Sequence, residues 1–231
     1  MPRVVRGSAG DERACDAVIA SLAFMSSRRG GTPASEVIAE RERRLREDPE
    51  FRALVEQKEV EHRERVRRLR EAEMPVIRDL AAVGVEVDSV WNLYKIPDSR
   101  PKAIPVLLEH LTRDYPDRVL QGIGMGLNDK SARAWWAQLK SLYLDTKRDA
   151  VRDVLASALS GLATRAHYDD LVSFLTNDSL GETRIYFLRP INRIGNRMAA
   201  GRGRAVIEQL ATAPIFAKEA SAILAGRGPN D

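Results

Sequence analysis

The densest set of chemically capable side chains in this sequence is basic. Arg189, Arg193 and Arg197 recur at i, i+4 and i+8, which places them on one face of a helix. Arg184 precedes them, and Arg202 and Arg204 follow in a glycine-punctuated turn. From Glu182 to Arg204 there are six arginines and one acid. Like charges at i,i+4 destabilise an isolated helix. Something must offset them: neighbouring acids such as Asp169, Asp170 or Asp178, or an anionic partner. That partner could be nucleic acid or an acidic protein surface. The phosphate case requires the guanidiniums to converge on a groove.

Other patterns invite a chemical reading. Gly122-Ile-Gly124-Met-Gly126 looks like a phosphate loop. A dinucleotide fingerprint needs a strand before it and a third glycine where Leu127 stands. Inside a helix each glycine costs roughly 1 kcal/mol, so close packing of a neighbouring helix is the expected reason for them. Trp135 and Trp136 are adjacent, so they point about 100° apart on a helix. One is expected in the core and the other at an edge, and Trp135 is the candidate for a partner contact. Trp91 and Tyr94 are expected to pack beside the first repeat. His167 stands near Asp169 and Asp170, a set that could do acid–base work. No nucleophile accompanies it, and Cys15 lies near the N-terminus. His110 is expected at the rim of an amphipathic helix. The three histidines, His62, His110 and His167, lack zinc spacing. No catalytic residue, metal or cofactor is expected, and no enzymatic activity.

The elements that must position these residues are helical. Aromatics are only 6% of the 231 residues, while Ala, Leu and Arg are abundant. No segment shows strand alternation. Lys plus Arg is 37 against 33 Asp plus Glu, a net charge of +4, too mild alone to demand nucleic acid. No apolar run approaches the roughly 20 residues that span a bilayer. Asp11, Glu12 and Asp16 interrupt the basic start of what would be a signal peptide. The expectation is a cytoplasmic protein without membrane contact.

Residues 1–31 read as a flexible tail with one short helix at Glu12–Phe24. Residues 32–84 read as a charged helical extension, with Thr32 as N-cap and Pro33 as the first helical residue. Between Glu36 and Glu73 there are 11 basic and 12 acidic residues, many at i,i+4. Asp48 should cap a new helix at Pro49, Pro75 should kink or divide it, and Gly84 should close it. The apolar stripe of Val55, Val66, Leu69, Ile77 and Leu80 suits packing by one thin face, and a dimeric coiled coil is the other option. Homo-oligomerisation is left open.

Residues 85–231 read as short helices headed by Asp88, Pro101, Pro116-Asp117 and Asp129, with capping boxes at Thr146/Asp149 and Ser179/Glu182. This stretch repeats. The segments from Asp117, Asp149 and Gly181 are 32 residues apart. They align Ile123 with Leu155 and Phe187, and Leu127 with Leu159 and Ile191. Arg152 and Arg184 also coincide. Leu111, Leu142, Leu175 and Leu210 mark the ends of the intervening helices. A period of this size marks a solenoid of helix-turn-helix units, each covering its neighbour's apolar face.

Pro101-Lys-Ala-Ile-Pro-Val-Leu-Leu-Glu-His-Leu, Tyr115-Pro-Asp-Arg-Val-Leu and Asp149-Ala-Val-Arg-Asp-Val-Leu-Ala-Ser-Ala-Leu resemble HEAT repeats. The Asp-x-Val-Arg opening at Asp149, and Pro190 inside the third copy, are similar to that family. Thr183 departs from it, standing where Val119 and Val151 do. The resemblance covers Asp88 to Leu224. It implies an all-α, HEAT-like α-solenoid of about four helix pairs, of the bacterial type, preceded by the charged extension. The N-terminal helix should cap the first repeat. The resemblance further implies a non-enzymatic scaffold that binds a protein partner. The alternative is a nucleic-acid-binding solenoid that uses the Arg184 to Arg204 face. HEAT-like alkylpurine DNA glycosylases are similar in architecture only, because no catalytic Asp with flanking Trp matches here.

Overall fold

The computed structural model describes residues 33–96 and 100–228. The expected tail over 1–31, its helix at Glu12–Phe24, and Thr32 lie outside the described residues. The protein is all-α: among the described residues, α-helices and short 3-10 helices alternate with turns, and there is no strand. The chain divides into two compact units, Met1–Arg65 and Val66–Asp231.

In the first unit, helix α1 (Ala34–Glu47) follows Pro33, which takes the N-cap place and not the first helical position. No residue of α1 is buried. Asp48 ends it and starts the next helix, its carboxylate accepting from the Phe51 amide at 2.9 Å. Helix α2 (Pro49–Ala82) begins at Pro49 as the spacing predicts. Arg52 donates to the carbonyls of Leu45 and Arg46, both at 2.8 Å, and so satisfies acceptors that α1 leaves without helical partners. Arg44 lies over the Phe51 ring at 4.1 Å. Pro75 does not divide α2. Its missing N–H withdraws a donor only from the carbonyl of the exposed Glu71.

The second unit begins at Val66, inside α2, and not near the boundary expected after residue 84. From here α2 carries a buried face: Val76 and Leu80 are apolar, and Glu73 is a buried carboxylate. Glu73 accepts from Ser89 Oγ at 3.0 Å and from the Val90 amide at 3.2 Å. It thereby holds the start of the 3-10 helix Val90–Lys95, which Ser89 caps in place of the expected Asp88. Gly84 closes α2 at φ 77°, with the Val85 amide bonded to Leu80 O at 3.0 Å.

There follow α3 (Arg100–His110), α4 (Asp117–Gly126), a 3-10 helix Lys130–Trp135, α5 (Trp136–Asp145), α6 (Asp149–Leu162), a 3-10 turn Arg165–His167, and α7 (Tyr168–Thr176). The 3-10 stretch Asp178–Phe187 leads into α8 (Leu188–Met198), α9 (Arg202–Leu210) and α10 (Pro214–Leu224). Helix α4 packs on Val90–Lys95 and on α6, α6 packs on α5 and on Asp178–Phe187, and α8 packs on α7, α9 and α10. The aligned residues Ile123, Leu155, Phe187, Leu127, Leu159 and Ile191 are all fully buried. Each such side chain contributes about 1.5–3 kcal/mol by burial. Tyr143, Phe174 and Phe187 form an aromatic cluster with centroids 4.9–5.5 Å apart.

The three glycines of α4 face three different neighbours. A Cβ on Gly122 would lie 2.4 Å from Val90, on Gly124 2.3 Å from Val154, and on Gly126 2.7 Å from Leu93. They are contact points for packing.

Neither expected capping box forms. Helix α6 has Arg148 at its N-cap, and Thr146 Oγ1 accepts from the Arg148 amide at 3.2 Å. At the second, Asn177 caps the Ser179 amide, and Gly181 at φ 61° interrupts the helix before Glu182. The α-helix that follows therefore starts at Leu188, with Pro190 in its first turn. Pro190 offers no N–H to Tyr186 O four residues back, and Ser160 Oγ from α6 donates to that carbonyl at 2.9 Å. The box that does form is Thr164/His167, with the histidine in the place of the usual glutamate.

Candidate functional site: an arginine-lined cleft

Helix α8 buries Leu188, Pro190, Ile191, Ile194 and Gly195. That leaves Arg189, Asn192, Arg193, Asn196 and Arg197 on its other side. The expected arginine face divides according to what each guanidinium meets. Arg184 ion-pairs with Asp178, donates to Gly181 O at 3.0 Å and Leu175 O at 3.3 Å, and lies over the Phe216 ring. It is a clamp at the end of α7. Arg189 ion-pairs with Glu219 and donates to the carbonyls of Arg227 and Gly228, both at 3.0 Å. Arg204 pairs with Glu208 at 2.8 Å, and Arg202 lies 4.6 Å over the Tyr168 ring. Arg193 and Arg197 are exposed, with no hydrogen-bonded or ion-paired side-chain partner among the described residues. The offsetting acids are thus Asp178, Glu208 and Glu219. Asp169 is exposed, and Asp170 serves Lys140 and Trp136.

The glycine-punctuated turn is not a free anion cradle. Asn196 Oδ1 accepts from the amides of Gly203 and Arg204 at 3.0 and 3.1 Å, so one side chain of α8 caps α9. A Cβ on Gly195 would lie 2.7 Å from Gly203 Cα, and this close approach lets the cap reach.

Beside α8 opens a cleft of about 440 Å³. Arg189, Arg193 and Arg227 supply its charge, Asn192 and Ser160 its neutral polar groups, and Pro190 and Ile223 its apolar walls. Asn192 Oδ1 accepts from Asn196 Nδ2 at 3.0 Å, which leaves its own Nδ2 free to donate. Arg189 is fixed by Glu219 and the C-terminal carbonyls, while Arg193 and Arg227 stand at the rim. The cleft therefore presents more cationic charge than Glu219 neutralises.

His110 and His167 both pack and bond within the fold. His110 is fully buried, which corrects its expected place at a rim. Its Nε2 lies 2.9 Å from Asp79 Oδ2 on α2, and its Nδ1 2.7 Å from Tyr115 Oη. The Asp79 carboxylate is an acceptor, so Nε2 carries the proton and Tyr115 donates to Nδ1. Burial lowers the His110 pKa, against the opposing pull of the Asp79 hydrogen bond. His167 stacks on Trp136 at 3.8 Å and accepts the Thr164 amide at Nδ1, 3.2 Å. Burial lowers its pKa too. Desolvation raises the Asp170 pKa, but hydrogen bonds from Lys140 and Trp136 outweigh it, and the net shift is downward. Trp136 is buried with Nε1 donating to Asp170 at 2.7 Å, while Trp135 is 36% exposed, the division expected of the pair. Trp135 belongs to a segment that packs chiefly on α3, α5 and α6. Trp91 is half-buried under Arg118, and Tyr94 is exposed.

Sequence reasoning missed Ser160, Asn192 and Arg227. A signal existed for two of them: Asn128, Ser160 and Asn192 hold the same position at steps of 32. Arg227 lies past α10 and carried none. Among the described residues no group of three or more His, Cys, Asp or Glu is placed to hold a metal ion, and no helix is long and apolar enough to cross a membrane. The chain matches no family model, no curated protein and no solved structure.

Proposed function

We propose that Val66–Asp231 is a HEAT-like helical-repeat scaffold that binds a protein partner and performs no chemistry. The observation that carries the reading is the repeat register. Ile123, Leu155 and Phe187, and likewise Leu127, Leu159 and Ile191, lie 32 apart in sequence and are all fully buried, and each aligned segment packs on the next. Units of this kind cover one another's apolar faces and leave long polar surfaces for partners. Further support comes from how the polar clusters are used. His110 Nε2 joins α3 to α2 and its Nδ1 holds the turn at Tyr115, while the Trp136–His167 stack and the Asp170 carboxylate tie α5 to the segment 165–176.

The nucleic-acid reading keeps one favourable observation, the unpaired Arg193 and Arg197 one turn apart on α8. It is weakened by the commitment of Arg184, Arg189 and Arg204 to intramolecular acceptors, because a phosphate-tracking surface needs many free cations.

The test is reconstitution. The full chain captures a protein by crosslinking, and the complex is rebuilt from two purified components and sized by light scattering. A complex of fixed stoichiometry is expected. Binding to random duplex DNA that falls steeply with salt and vanishes in R193A/R197A would contradict the scaffold reading and favour the alternative.

A further inference from the structure

The cleft beside α8 is built as a recognition point and not as a charge track. Arg189 cannot swing away: Glu219 and two backbone carbonyls hold it. A fixed guanidinium presents its remaining N–H groups in one direction, and planar forks of this kind match a carboxylate bidentately. Arg193 and Arg227 line the same 440 Å³ volume, and neither side chain has an acidic partner among the described residues. Asn192 adds an uncommitted amide donor. Pro190 and Ile223 add apolar wall next to the charge. Outside the cleft the charge continues only to Arg197, exposed one turn beyond Arg193 on α8. Arg184 and Arg204 are neutralised by Asp178 and Glu208, and Arg202 lies over Tyr168.

We infer that this cleft binds an acidic peptide segment of the partner, taking a Glu or Asp carboxylate between Arg193 and Arg227 and an adjacent apolar side chain against Ile223 and Pro190. The inference rests on the scaffold reading and gives its partner a chemistry. A nucleic-acid strand fits less well. Its phosphates recur along a line and call for cations along that line, whereas these converge on one pocket.

The experiment uses the full-length protein and a fluorescent twelve-residue peptide of alternating Glu and Leu, read by anisotropy at low and physiological salt. A peptide of alternating Lys and Leu and a single-stranded DNA of similar length run beside it. The test variant is R193E/R227E, which changes two exposed side chains that make no hydrogen bond or ion pair among the described residues. The control is R165E/R197E, the same charge change at two exposed positions outside the cleft. Wild type and control should bind the acidic peptide alike, and R193E/R227E should weaken it by about tenfold or more, since truncating and reversing a charge pair is costly. Equal weakening in both variants would overturn the assignment, because attraction would then be diffuse. So would an absence of peptide binding, or tighter binding of the DNA. A reconstituted protein complex that tolerates R193E/R227E would overturn the cleft assignment alone and leave the scaffold reading standing.

Discussion

The stretch from Ala34 to Arg65 and the stretch from Val66 to Ala82 are both charged helix, yet they are held by different physics. In the first, Val37, Ile38, Leu54 and Val60 are exposed, and no residue of α1 is buried. What fixes it is local: the Asp48 cap, Arg52 on the α1 carbonyls, Arg43 with Glu40, and Arg44 on Phe51. In the second, Glu73, Val76, Asp79 and Leu80 bond and pack to residues distant in sequence. Local pairs each contribute a few tenths of a kcal/mol, while one buried side chain contributes several times that. Similar composition therefore gives a helix sustained by its own sequence in one stretch and a helix sustained by tertiary contacts in the other.

The sharpest way to break this contrast is a matched pair of truncations. Leu155→Ala removes a fully buried side chain and should cost about 2–5 kcal/mol. Leu54→Ala, at an exposed site, should stay within about 0.5 kcal/mol. Urea denaturation of both variants checks this, and a large effect at Leu54 would refute the division.

Next in size is Glu73→Ala, which leaves the Val90 amide without its acceptor and should cost about 1–3 kcal/mol. Glu56→Ala, on the exposed part of α2, should be silent in the same assay.

A smaller effect is expected from pH. His110 and His167 both have depressed pKa values in the folded state, chiefly from burial. The unfolded chain then binds their protons first as pH falls through about 6.5. Stability should be fully present above that value and decline through the window down to the folded pKa values. Melting temperature against pH from 7 to 5 reads this, and H110Q and H167Q should each flatten the slope. The opposite slope would contradict the buried, neutral assignment. Smallest of all on global stability is Asp48→Ala. It should reduce helical signal from the first unit, seen by circular dichroism, without moving the main melting transition.

The helical class was legible because apolar spacing and turn residues are local. Asp48-Pro49, Gly84 and the packing role of the α4 glycines followed from residue type alone. The misses share a cause, which is partners far away in sequence. His110 appeared to belong at a rim because its partners, Asp79 on α2 and Tyr115 beyond the turn, only meet it in the fold. Glu73 reads as one acid in a charged run, yet it is buried because Ser89 and Val90 come to it. The Ser179/Glu182 box failed because Gly181 between them turns left-handed. Of the candidate site, the arginine spacing on α8 was legible. Which arginines remain free was not, because Glu219, Glu208 and the carbonyls of Arg227 and Gly228 decide that.

Hydrogen exchange followed by mass spectrometry on the whole chain tests the central contrast most directly, since it reads opening free energy segment by segment. Amides of residues 34–65 should exchange within seconds to minutes. Those of residues 76–80, 119–127 and 151–162 should be protected together, at the free energy of global unfolding. Equal protection of residues 34–65 and the α4 and α6 amides would contradict the account.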